Sequence, residues 1–207
     1  HHVWVQRTGV IPQHYLLEDF LADTDSGHNV VSTIFIECGT MYKNNGPTAL
    51  RPVGETQFVN DLAAKSATGR YGKTRVAAGI VGTAYLSDGD SVAAALDAQL
   101  ASGGQRFKGI RQAAAHDDDS SVPNHRTNPP RELYANRTFR QGFAHLAPRK
   151  LSFEAWCYHP QLPGLTDLAQ TFPDTTIILD HFGGPLGVGC YAGLDRSEEH
   201  PSDSSHV

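Results

Sequence analysis

Leu151-Ser-Phe-Glu-Ala-Trp-Cys-Tyr-His159 and Thr175-Thr-Ile-Ile-Leu-Asp-His181 are two apolar runs that each close on a histidine, and Phe182-Gly-Gly-Pro185 follows the second at once. Both runs are short and rich in aromatic or β-branched residues, the pattern of a buried strand. One helical segment, Leu165 to Phe172, lies between them, so the strands are expected to be parallel neighbours. In an α/β barrel, the carboxyl ends of consecutive strands converge on the active-site face. Two imidazoles delivered there suit acid–base or metal chemistry. A single strand-end histidine is as readily structural; repetition at the same place in consecutive units favours a site.

The same alternation extends back along the chain. Val30 to Glu37, Arg75 to Ala84 and Phe107 to Arg111 read as strands, and residues 55–67, Asp90 to Ala101 and Thr138 to Ala147 as helices. Strand–helix repetition specifies α/β architecture with a parallel sheet. A closed barrel is preferred to an open sheet because no Gly-rich turn follows the first strand, as a dinucleotide site would require. The expected fold is a (β/α)8 barrel of the TIM type, incomplete. Roughly six units occupy residues 1–193, the opening His1-His2-Val-Trp4 reads as the end of a strand, and the last two units are missing. The polar tail, 194–207, is expected to be disordered.

Two irregular stretches, 39–54 and 112–137, follow strands and so belong to the active-site face. Asp117-Asp118-Asp119 in the second reads as a solvated charge run rather than a cation site. A net charge of −5 with no basic cluster argues against nucleic acid or an anionic membrane as partner and leaves a small-molecule substrate. Cys38, Cys157 and Cys190 form no pair; the first two read as buried hydrophobes, and the usage suits a reducing, cytoplasmic setting. No run is apolar enough to span a membrane, and no leader peptide is seen. The triplet Asn136-Arg-Thr138 is discounted as a glycosylation acceptor.

The segments Phe153-Glu-Ala-Trp-Cys-Tyr-His-Pro-Gln-Leu-Pro-Gly-Leu165 and Phe172 to Gly187, with Phe35-Ile-Glu-Cys-Gly39 and Phe107-Lys-Gly-Ile-Arg111, resemble the amidohydrolase-related TIM-barrel metal-dependent hydrolases, a group that includes sugar-acid lactonases. The resemblance runs from residue 1 to about 193. It implies that His2 matches the second histidine of a first-strand His-x-His pair whose first member is absent, and that His159 and His181 match the histidines of the fifth and sixth strands. The family's eighth-strand aspartate has no counterpart; Asp195 lies in the polar tail.

What the resemblance implies is a divalent metal, zinc first, held by His2, His159 and His181, or no metal at all in some lactonases. His159 and His181 are the catalytic candidates for water attack on a lactone or similar carbonyl. Arg111, Glu37 and Tyr42 are the substrate-binding candidates, since a guanidinium at a strand end holds a carboxylate or carbonyl through paired hydrogen bonds. Arg111 is equally readable as an ion-pair partner of Asp117–Asp119. Glu37 is expected to pair with Arg111, bind sugar hydroxyls or face solvent, and Trp156 to fill core. His14, His28, His116, His125 and His145 read as ordinary solvated side chains. Decarboxylase or hydratase chemistry on the same barrel, and an inactive truncated fragment, are the alternatives.

Overall fold

The computed structural model describes residues 1–5 and 14–193. They gather into two compact units, His1–Ala84 with Val92–Ile110, and Tyr85–Ser91 with the chain from Arg111 onward. The tail expected to be disordered lies outside the described residues.

The first unit contains α1 (Leu17–Thr24), β1 (Ser32–Ile36), α2 (Val53–Ser66), β2 (Arg75–Gly82), α3 (Val92–Gly103) and β3 (Phe107–Arg111) up to its last residue. The strands pair in parallel: Phe35 lies opposite Ile80, and Val81 opposite Gly109. Each is followed by a helix, as the alternation predicts. The opening residues run beside β1, where the His1 nitrogen donates to the Ile34 carbonyl and the Ile36 N–H donates to the His1 carbonyl, both at 2.9 Å.

Helix α2 packs against β2 and α3. It buries Val59, Leu62 and Ala63 on one stripe, while Phe35, Ile80 and Leu96 complete the apolar interior. Phe107 is gripped by glycines. A Cβ at Gly82 or at Gly103 would lie 2.8 Å from its side chain, so those two positions must lack one.

The second unit contains α4 (Arg137–Phe143), β4 (Ser152–Ala155), α5 (Leu162–Thr171) and β5 (Ile177–Leu179). Strands β4 and β5 are parallel, with Phe153 opposite Ile177. Phe153 is fully buried and meets Phe139 and Phe143 edge-on, at centroid separations of 6.0 and 5.2 Å. Helix α4 thereby covers β4. Asn136 caps α4, its Oδ1 accepting the Phe139 N–H at 3.0 Å, which is the structural use of the discounted triplet. The helix is shorter than the expected 138–147. It ends at Phe143, and Lys150 then turns the chain in the left-handed region at φ 55°.

The strands ending on histidines are shorter than their apolar runs suggest. Strand β4 stops at Ala155 and β5 at Leu179, and both histidines lie in 3-10 turns beyond, His159–Gln161 and Asp180–Gly183. Pro160 supplies no N–H for a ladder, and His181 and Phe182 take left-handed φ values of 51° and 56°, two successive residues that turn the chain out of the extended run.

Candidate active site

Three ionisable side chains from successive strand ends meet in the second unit. Arg111 closes β3, Glu154 lies in β4, and Asp180 follows β5. Arg111 Nη1 is 3.4 Å from Asp180 Oδ2, with side chains only 9% and 14% exposed. Asp180 is thus an ion-pair partner of Arg111. Glu154 is buried beside them. Loss of solvation, followed by the charge and hydrogen bond of Asp180, pushes its carboxyl up to about 7, with Arg111 opposing. Behind the cluster, the Tyr134 hydroxyl lies against the Cys157 thiol, and burial raises both above their usual range.

Trp156 is half-buried rather than core. The Arg111 guanidinium carbon lies 5.8 Å from its ring centroid, and the His181 ring centroid is also at 5.8 Å. His125 meets it edge-on at 4.5 Å, so this histidine is not merely solvated. Two of the candidates, Arg111 and His181, thus share one aromatic surface.

His159 and His181 are tied through one glycine. Gly184 donates its N–H to the His181 carbonyl at 3.0 Å, and its own carbonyl accepts the His159 N–H at 3.2 Å. The His159 ring lies edge-on to Tyr191 at 4.9 Å, and its Nδ1 accepts the Leu186 N–H at 3.4 Å. The neutral imidazole is thereby fixed in orientation.

The stretch 112–137 is ordered by its own polar groups. Asp117 accepts the Tyr191 hydroxyl, Asp119 accepts the Cys190 N–H, both at 2.8 Å, and Asp118 pairs with Arg131 at 2.5 Å. Hydrogen bonds from Ser121 hold the Asp119 carboxyl down to about 2. The triple aspartate is therefore a fastening of loops and not a free charge run. Gln161 stitches the same region: its Nε2 donates to the carbonyls of Ala114 (2.6 Å) and Arg131 (3.2 Å), while its Oε1 accepts from Tyr158 and His116. Around these residues lies a cavity of about 600 Å³, also lined by Tyr134 and Pro160. Its volume falls in the range of ligand pockets. His116 is half-buried there, with Nε2 3.3 Å from Asp118 Oδ1, and so is not free in solvent as expected.

The remaining candidates belong to the first unit. His2 Nδ1 lies 2.7 Å from the Ile36 carbonyl. Glu37 is 4% exposed, which rules out the solvent-facing reading, and Tyr42 is half-buried. Glu55 is a residue that the sequence reading passed over. It sits in the first turn of α2, 1% exposed, and its Oε1 accepts the N–H groups of Cys38 (3.1 Å) and Thr40 (2.8 Å).

Burial and the nearby Glu37 charge push Glu55 from 4.5 to about 7, against the pull of those two N–H groups. The folded state then keeps a proton that the unfolded chain releases, so stability falls as pH rises across that interval, by roughly 3 kcal/mol. Glu55→Gln removes this contribution. Urea unfolding is expected to show the variant gaining on the parent between about pH 5 and pH 8; an unchanged difference would refute it.

Among the described residues, no three His, Cys, Asp or Glu side chains gather as a metal ion requires. His2 belongs to the first unit, His159 and His181 to the second. Glu154 and Asp180 carry a signal in the sequence, in or at the end of an apolar run, whereas Glu55, between Gly54 and Thr56, carries none. A carboxylate inside an apolar run is costly unless something offsets it.

The sequence and the fold have counterparts. The amidohydrolase family profile matches residues 41–202. An uncharacterized protein of Sinorhizobium fredii, y4mH, is 35% identical over 173 residues, covering 84% of this chain and 51% of that protein. Two crystal structures of an amidohydrolase from Burkholderia multivorans, one with bound HEPES and one with bound zinc, superpose with a TM-score of 0.59 at 20% and 21% identity. Each likeness covers 88% of this chain and 55% or 56% of the other. The chain thus spans about half the length of the proteins it matches. The fold is α/β, an incomplete barrel of the TIM type, and the chain belongs to the amidohydrolase family.

Proposed function

We propose that this chain carries part of a hydrolase site for a lactone or similar carbonyl compound at the strand ends of the second unit. The observation that supports this most is Trp156, with Arg111 and His181 against the same ring. Arg111, paired with Asp180, places a positive charge beside this surface, suited to a carboxylate or to the carbonyl oxygen. His181 is exposed and stands beside the same surface. It takes a proton from water as the water oxygen bonds to the carbonyl carbon. The ring C–O bond then breaks, and the proton passes to the departing alkoxide, leaving a hydroxy acid. His159, held by Gly184 and Leu186, shares this acid–base work. Glu37 and Tyr42, of the first unit, are given a substrate-binding role by the family likeness.

The family likeness brings a divalent metal, zinc first, into this reading. It would lower the pKa of water and polarise the carbonyl. Among the described residues no group of three His, Cys, Asp or Glu side chains gathers to hold it. No described helix is long and apolar enough to cross a membrane, and the unpaired cysteines fit the cytoplasm as the place of action.

His159→Ala and His181→Ala are each expected to lower hydrolysis of D-glucono-1,5-lactone by about 100-fold or more while leaving circular dichroism unchanged. Retained activity in both would end the assignment.

A further inference from the structure

The loop after β1 is joined to the start of α2 by polar contacts rather than apolar packing. Cys38 and Thr40 are 9% and 6% exposed, so their N–H groups need protein partners, and both find Glu55. Next to it, Gly54 lets two backbones touch: a Cβ there would lie 2.4 Å from the Met41 carbonyl oxygen and 3.0 Å from the Lys43 nitrogen. Met41 is left-handed at φ 52°, and the Lys43 N–H donates to the Arg51 carbonyl at 2.9 Å. Helix and loop therefore form one fastened corner. The second carboxyl oxygen of Glu55, Oε2, is buried and has no hydrogen-bond partner among the described residues.

We propose that Glu55 is a positioning residue, which holds the backbone of Cys38 and Thr40 and thereby fixes the segment from which Glu37 and Tyr42 project. The proposal rests on the substrate-binding role given above to those two side chains. Glu55 acts through the loop and touches no substrate. Protonated or ionised, its Oε1 remains an acceptor, so the corner holds on both sides of neutrality. The titratable groups acting on it are Glu37 and Cys38, both at the end of β1.

Amide hydrogen exchange on the full chain tests this. Glu55→Gln keeps the acceptor oxygen; Glu55→Leu keeps the volume and loses it. The Leu variant is expected to exchange the Cys38 and Thr40 amides about tenfold faster, the equivalent of one hydrogen bond lost, with Ile80 unchanged. The Gln variant is expected to restore protection. With D-glucono-1,5-lactone as probe, Glu55→Leu raises KM more than it lowers kcat, and Gln rescues KM. Parental protection in the Leu variant, or Gln exchanging as fast as Leu, overturns the proposal. If Leu does not fold, Glu55→Met replaces it; failure of both beside a folded Gln variant supports the requirement for an acceptor. A parent chain that hydrolyses no lactone defeats the preceding functional reading, while the exchange measurements still decide whether the corner is fastened by Glu55.

Discussion

Arg111→Ala is expected to destabilise the protein by about 3–5 kcal/mol near neutral pH, the cost of breaking a buried ion pair from one side. The guanidinium, 9% exposed, faces Asp180 and opposes the rise in Glu154. Without it, a buried carboxylate pair is left uncompensated, and Glu154 moves further above its present value of about 7. A carboxyl raised on folding is disfavoured as pH climbs through its folded pKa, so the deficit should be larger at about pH 8 than at about pH 5.5. Arg111→Lys keeps the charge but not the planar fork, and should recover part of the stability with little substrate binding. Urea unfolding at the two pH values checks this; a deficit under about 1 kcal/mol at both would sink the assignment of Arg111 as counter-charge.

Gly184→Ala is the second large effect. Gly184 is left-handed at φ 58°, and a Cβ there would lie 2.3 Å from the Cys157 carbonyl oxygen and 3.1 Å from the Tyr158 Cα. Backbone, not a flexible side chain, occupies the space. The substitution combines roughly 1 kcal/mol or more of backbone strain with an overpacking cost of about 1–3 kcal/mol. Relief requires the turn to move, which breaks the bonds from His159 to Gly184 and from Gly184 to His181. Loss of hydrolysis together with a stability deficit above about 2 kcal/mol is expected. Parental activity and an unchanged midpoint would show that the two histidines do not depend on this bridge.

Much of the fold was legible because its signals are local. Apolar runs such as 75–84 and amphipathic stretches such as 55–67 declare their elements by period alone, and the pair Gly103-Gly104 marks the end of α3. The placement of His159 and His181 was legible to within a turn. Their conformation was not, because the left-handed step at 181–182 is imposed by the chain's return towards Cys157. The identity of ionic partners was also hidden. Arg111 and Asp180 are 69 positions apart. The nearer Asp117–Asp119 offered an easier partner, yet their oxygens are taken by Tyr191, Cys190, Ser121 and Arg131. Trp156 was read as core because aromatic residues in strands usually are. It lies one residue beyond β4, half-buried, with Arg111, His125 and His181 around its ring.

The successive left-handed residues after β5 bear on how the protein can be improved. Neither His181 nor Phe182 is a glycine, and both hold a backbone form that costs of the order of 1–3 kcal/mol for an ordinary side chain. Phe182 is 58% exposed, so glycine there relaxes the turn and removes a side chain that is mostly in solvent. Glycine at 181 would relax it equally and delete the imidazole. Engineering for heat tolerance and engineering for turnover therefore pull in the same direction at one of these neighbours and in opposite directions at the other.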